Sequence, residues 1–478
     1  MHNRNKYLNA ISGAVLMACF STGSAFAAIY TVTKAADTND GICNADCSLR
    51  EAVIAANANP GPDSINLPSG TYKLTLVGAN EDYSATGDLD IRGDLSINGV
   101  VRTIYPIIDG NLQDRVFDII EGVKVELTTL VVMNGVTTSD SGAGIYNRGN
   151  TTVNNLVFYG NVASGYGGAI ESRSNTAQLS ILSSLFSRNC SSSGGAVESA
   201  GWQLTIDNSR FDTNVPVLKG GINCLNGDGA ALHLQGGEAT INKSTFINNV
   251  GAVGAISSYF GMLDIINTTI TNNRGLSGGH GGAGGIMNQM YGWITVKNST
   301  IAYNRASTSG GGVGVGDYGA NPVILINSIV ANNTAPTGAD CSGAVASDGN
   351  NMFSTVAGCG VVLHASDTVG NPMLGSLVTT TPLSLGKAIC PCWPPARRST
   401  PRTAQRARPR TSVANPGRLM EMATVLLFAI KALMRSDLAS LFLKTFFGQG
   451  YVNELRRRQP RRGDKWRPNE VAITIKGK

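Results

Sequence analysis

Phe158-Tyr159-Gly160-Asn161, Phe186-Ser187-Arg188-Asn189, Phe211-Asp212-Thr213-Asn214 and Phe246-Ile247-Asn248-Asn249 spell one motif, an aromatic residue followed three places later by Asn. Outward from this run the same spacing continues with aliphatic residues. Val131/Asn134 lies before it, and Ile270/Asn273, Ile301/Asn304 and Val330/Asn333 follow. Successive Asn residues are 27, 28, 25, 35, 24, 31 and 29 places apart. A period in this range marks a stacked repeat, which builds a long regular surface rather than one pocket.

Each repeat carries a short β-rich run before the motif, such as Leu204-Thr205-Ile206 or Ile294-Thr295-Val296. A Gly-rich step follows it, as in Gly167-Gly168-Ala169-Ile170, Gly194-Gly195-Ala196-Val197 and Gly311-Gly312-Val313. Short alternating runs punctuated by Gly and Asn are strand signals, and no sustained helical periodicity competes with them. A repeat of about 27 residues suits one turn of three short strands. The expected fold is therefore all-β, a right-handed parallel β-helix. Propeller blades need about 40–45 residues, and the Leu spacing of leucine-rich repeats is absent.

In such a coil the motif's apolar residue points inward and stacks on its counterparts. Asn161, Asn189, Asn214, Asn249, Asn273, Asn304 and Asn333 are expected to form a structural ladder at a corner, tolerating left-handed backbone angles. Corner chemistry accounts for all of them, so none is taken as catalytic.

The composition agrees with a folded, exported chain. Its 42% hydrophobic content can build a core despite 58 Gly. Arg4 and Lys6, an apolar stretch from Ala10 to Phe20 and Ala25-Phe26-Ala27 read as a secretory signal over residues 1–27. Export makes disulfides possible, and Cys43/Cys47 and Cys341/Cys359 are the expected pairs. A metal reading of Cys43 and Cys47 finds no nearby His.

Charge divides the chain. Residues 390–478 hold 19 Lys+Arg against 5 Asp+Glu, a net of +14. The whole chain is +6, so residues 1–389 carry 6 − 14 = −8. A nucleic-acid partner would rest on that tail alone, and none is expected.

The repeats at residues 125–335 resemble those of polymorphic outer-membrane proteins, which are bacterial surface β-helices. Cys47-Ser48-Leu49-Arg50-Glu51-Ala52 resembles the signature of CSLREA-domain proteins. That resemblance implies export and an N-terminal module, here residues 28–75, preceding the β-helix of residues 76–389. Ser48 to Asn57 reads as a short helix, with Ser48 capping it and Glu51 closing a capping box. Such a helix can cover the open end of the coil. Arg50 and Glu51 are expected in a structural salt link or on a solvated face.

After Ile389 the texture changes from Gly and Asn to Pro and Arg. A shifted reading frame can encode Asp-Gln-Arg-Gly, then Asp-Gly-Asp-Gly-Asn-Gly, then Asp-x-Gly-Ala-Tyr-Glu. In that order these resemble the end of choice-of-anchor Q domains. The tail is therefore expected to be out of frame and disordered.

Function is expected to be non-enzymatic. The reading is an extracellular or outer-membrane-associated monomer that contacts glycans or cell-surface components, without cofactor or metal. The alternative is a polysaccharide lyase or glycoside hydrolase on the same scaffold. A hydrolase needs two carboxylates about 5–10 Å apart, and the repeats' acids are scattered. Asp207 could approach Glu238. His233 and His280 read as isolated packing residues. Asp317 and Tyr318, in a Gly-rich loop, are the nearest thing to a surface site.

Overall fold

The computed structural model describes residues 26–375 and 377, apart from residues 79, 80, 103, 220, 225, 226, 277–281, 317 and 318. Nearly all of the expected signal and the whole tail 390–478 lie outside the described residues, as do Asp317, Tyr318 and His280.

Short strands separated by polar corners wind into coils, each visiting three faces in turn. The first face has 12 strands, from Ile29–Thr31 to Val345–Ser347. The second has 12, from Thr71–Lys73 to Thr368–Val369, and the third has 10, from Leu89–Ile91 to Cys341–Ser342. Strands within each face are parallel, and consecutive coils pair residue for residue over most of their length. The architecture is the expected right-handed parallel β-helix.

Phe158 pairs with Phe186, Phe186 with Phe211 and Phe211 with Phe246. Their rings stack at 4.7, 4.6 and 4.6 Å, one strand spacing apart. Ile270, Ile301, Val330 and Phe353 continue the column, all fully buried. Before Phe158 the column is held by Val132, not Val131. Val131 instead packs with Ile107, Met133, Val157 and Leu185 in a separate apolar cluster.

The ladder forms as expected from Asn161 to Asn333. Asn189 Oδ1 accepts from the backbone N–H of Asn161 at 3.0 Å and from its Nδ2 at 3.1 Å. Asn189 Nδ2 also donates back to the Phe158 carbonyl at 3.1 Å. The pattern repeats at Asn214, Asn249, Asn273, Asn304 and Asn333. One expectation is corrected. The left-handed residue is the one before each ladder Asn: Gly160, Arg188, Thr213, Asn248, Asn272, Tyr303 and Asn332. The Asn itself turns its amide inward, where both N–H groups and the carbonyl find partners. The same register shows that Gly135, not Asn134, precedes Asn161 in the ladder, since Gly135 N donates to Asn161 Oδ1 at 2.9 Å.

A second ladder runs along the corner between the first and second faces. Backbone N–H groups of Ser184, Ser209, Ser244, Thr268 and Ser299 each donate to the hydroxyl one coil on. Ser328 ends the row by donating to Asn351 Oδ1 at 2.9 Å. Glycine is required where coils touch: a Cβ on Gly284 or Gly285 would lie 2.4 Å from the carbonyl oxygen of Gly311 or Gly312.

Leu49–Ala58 is a helix with Ser48 as N-cap and the full capping box to Glu51. Leu49, Ala52, Val53 and Ala56 are buried in the main core at the N-terminal end of the coil. Arg50 and Glu51 do not pair with each other. Arg50 is fully buried, holds Asp37 at 2.7 Å and donates to the carbonyls of Ser84, Gly87 and Asp88. Glu51 takes Lys34 at 3.3 Å, Thr38 Oγ1 and the Asp40 N–H. Both links are structural. The expected disulfides Cys43–Cys47 and Cys341–Cys359 are present. Cys190, buried beside Val136 and Val162, is disulfide-bonded as well.

Candidate functional site

The third face places one residue per coil in a single outward row: Asp90, Asp118, Tyr146, Glu171, Glu198, His233 and Ser257. Register therefore sets Glu171 and Glu198 about one strand spacing, ~4.8 Å, apart. These are acid–base side chains, yet they are shut off from solvent. Glu171 and Glu198 are 1% and 0% exposed, and His233 is 4% exposed. Arg173 pairs with Glu171 and reaches Glu198 at 3.9 Å, its guanidinium 5.1 Å over the Tyr166 ring. Burial pushes the Glu171 carboxyl up, against the pull of Arg173. Burial also pushes His233 down to about 4, while its Nδ1 lies 2.6 Å from Ser257 Oγ.

At the N-terminal end of the row, carboxylate oxygens of Asp88, Asp90 and Asp118 lie within 4.8 Å of one another. Arg115 stands among them, 2.8 Å from Asp118 and 3.7 Å from Asp88, and also pairs with Asp140. Arg148 holds the other Asp118 oxygen at 2.6 Å. Both guanidinium groups sit over the Tyr146 ring, at 5.0 and 5.2 Å. The protein's own cations thus answer the charge that a divalent ion would need. Desolvation pushes Asp88 up to about 8 and Asp90 up to about 6.

The corner leading from the third face into the first is different, because its aromatic side chains reach solvent. Strand Ile256–Tyr259 passes through Phe260-Gly261 into Met262–Ile266. One coil on, Ile286–Met290 passes through Tyr291-Gly292 into Trp293–Lys297. Phe260 and Tyr291 both adopt left-handed backbone, φ +56° and +45°, which is costly for bulky residues. Their rings stack at 5.7 Å and 18°, with Tyr259 and His233 continuing the group. A Cβ on Gly319 would meet the Tyr291 ring at 2.7 Å, so the ring lies against that glycine.

Beside this ridge, Trp293 pairs in register with Met262, Met262 with Glu238 and Glu238 with Gln203, which follows Trp202. Trp202, Met262 and Trp293 are 51%, 49% and 55% exposed. In a chain with only 6% aromatics, this edge gathers exposed rings and the exposed polar heads of Gln203 and Glu238. Flat apolar rings next to amide and carboxylate groups suit a ligand with apolar C–H faces and hydroxyl edges, such as a pyranose chain.

The residues singled out by sequence fare unevenly. Asp207 and Glu238 are not brought together: Asp207 pairs with Asn242, whose Nδ2 donates to it at 2.6 Å, while Glu238 opens the opposite end of that strand. His233 is not isolated but is a rung of the third-face row. Asp317 and Tyr318, the two residues before Gly319 in sequence, lie outside the described residues. The row itself had a signal in sequence, the second residue after the Gly or Ala step, as in Ala169-Ile170-Glu171 and Ala196-Val197-Glu198.

No family model matches the chain, and no curated protein does. Among solved structures, the chain is similar to a mannuronic acid specific polysaccharide family 6 lyase from human gut microbiota. Identity is 10%, coverage is 70% of this chain and 91% of that one, and the TM-score is 0.28. It is also similar to the A-module of the Azotobacter vinelandii mannuronan C-5 epimerase AlgE6, with 15% identity, 71% and 98% coverage and a TM-score of 0.28.

Proposed function

We propose that this chain is an exported β-helix that binds polysaccharide without cleaving it, along the edge formed by Trp202, Met262 and Trp293. The observation that carries this reading is the exposure of two scarce tryptophans at one edge, Trp293 in the register line Gln203–Glu238–Met262–Trp293 and Trp202 next to Gln203 in sequence. The side chains suited to acid–base chemistry are, by contrast, buried and paired along the third face. The N-terminal module is read as a CSLREA-type cap, the coils as outer-membrane-protein-like repeats, and residues 390–478 as out of frame. The DNA across codons 380–440 tests that last point, because it must encode Asp-Gln-Arg-Gly in the shifted frame.

Binding is tested by retention on immobilised acidic and neutral polysaccharides. Wild type is expected to be retarded on at least one, and Trp202→Ala/Trp293→Ala to lose at least tenfold in affinity while keeping its melting temperature. Equal retention of the double variant would sink the assignment. A second reading, catalysis, is favoured by the one-rung spacing of Glu171 and Glu198, close to the ~5–5.5 Å of retaining glycosidases. New reducing ends or unsaturated products, abolished by Glu198→Gln, would establish it instead.

A further inference from the structure

The interval from Asn214 to Asn249 is the longest between ladder residues, at 35. It holds Val217–Lys219 and Ile222–Cys224, the only antiparallel pair among the described strands. This hairpin carries Lys219 to much earlier coils. Its Nζ donates to Asn134 Oδ1 at 2.7 Å and to the Gly160 carbonyl at 2.6 Å, residues 85 and 59 places earlier in sequence. On its other side, the Asn134 amide donates from Nδ2 to Asp109 Oδ1 at 2.9 Å. A primary amine, a carboxamide and a carboxylate are thus in line, with the amide fixed at both ends.

We propose that Lys219 and Asn134 join in an intramolecular isopeptide bond, with Asp109 transferring the proton. The neutral Lys219 Nζ attacks Asn134 Cγ, the Nζ–Cγ bond forms and the Cγ–Nδ2 bond breaks. Asp109 moves a proton from the incoming amine to Nδ2, which leaves as ammonia. Nothing is oxidised or reduced, and no co-reactant is needed. The amine reaches the carbonyl carbon once the amide turns about its Cβ–Cγ bond to present its face.

Two features of the surroundings favour the reaction. Burial lowers the Lys219 amine to about 8, with Asp109 pulling the other way, so an uncharged nucleophile is available near neutral pH. Gly160 has φ +63°, and a Cβ there would lie 2.6 Å from Lys219 Nζ. The corresponding corner residues on later coils are Arg188, Thr213 and Asn248, so this corner is bare where the lysine crosses it.

The experiment is the intact mass of the reduced full chain, followed by a peptide map. The expected mass is one ammonia below the sum of the residues, with a branched peptide joining Lys219 to Asn134. Asn134-Gly135 can also lose ammonia by forming a succinimide, so mass alone does not decide. Hydroxylamine cleaves a succinimide and leaves an isopeptide bond intact. Lys219→Arg keeps the charge and is expected to restore the full mass, and Asp109→Asn is expected to slow bond formation at least tenfold. The proposal is overturned if wild type keeps full mass after prolonged incubation at pH 8. It is equally overturned if the loss persists in Lys219→Arg, or if hydroxylamine cleaves the chain at Asn134.

Discussion

Asp340 Oδ1 accepts from Asn333 twice, 3.2 Å from its backbone nitrogen and 3.1 Å from Nδ2. The asparagine ladder therefore ends on a carboxylate, fully buried, whose Oδ2 also accepts from Ser354 Oγ and the Thr355 N–H. Asp340→Ala leaves those donors without an acceptor, at about 1–3 kcal/mol for each one that water cannot reach. The expected result is a loss of several degrees in melting temperature, with faster amide exchange confined at first to residues 330–355. An unchanged melting temperature would show that water replaces the carboxylate.

The aromatic column makes a steeper prediction. Phe211 is fully buried between two parallel rings, so Phe211→Ala removes both stacking contacts and opens a cavity. The cost is about 3–5 kcal/mol, while Phe211→Leu is expected to cost less than half as much. Chemical denaturation of both variants measures the difference, and equal costs would mean that the neighbouring rings close over the gap.

These two features show what could be read from sequence and why. The column and ladder repeat one residue type at near-constant spacing, so period alone locates them. The first repeat is misread by one place, Val131/Asn134 for Val132/Gly135, because Val131 and Val132 are both apolar and only pairing separates them. The third-face row was missed because each rung differs in chemistry: Asp118, Tyr146, Glu171, His233. The Gly or Ala step two places earlier marks the rungs from Tyr146 onward, but Asp90 and Asp118 follow Asp88 and Val116 instead, and only the register joins them to the row. The exposed edge from Trp202 to Trp293 depends on which corner each tryptophan follows, which composition does not express.

Two buried groups predict opposite pH effects. Asp88 is raised to about 8 from 3.8, so between those values the folded chain holds a proton that the unfolded chain has lost. Its contribution is present below about pH 4 and disappears as pH rises through 8. Asp88→Asn is expected to flatten the decline in stability across that range. His233 is lowered to about 4 from 6.5, so the unfolded chain binds the extra proton and stability rises with pH between those values. His233→Gln is expected to remove that acid-side rise. Melting temperatures from pH 4 to 9 test both, and parallel curves for variant and wild type would contradict the assignment.

Removing the Cys341–Cys359 bridge should act on the C-terminal coils. Cys341–Cys359 closes a short loop of 18 residues, worth about 3 kcal/mol in the chain-entropy account. Cys341→Ser/Cys359→Ser is expected to lower the unfolding midpoint and to expose the last strands, Met352–Phe353 and Thr368–Val369, to proteolysis first. Cleavage beginning elsewhere would place the weak point of the coil outside this loop.

In the asparagine ladder each Oδ1 from Asn189 to Asn333 faces the coil before it, where it accepts from the preceding Asn. The side-chain carbonyl dipoles are therefore aligned, and their fields add along the axis as peptide dipoles add in an α-helix. The positive end of that line falls at the C-terminal side, where Asp340 sits. A fold whose backbone dipoles largely cancel across its sheets thus acquires a polarity from its side chains, and an anion terminates it.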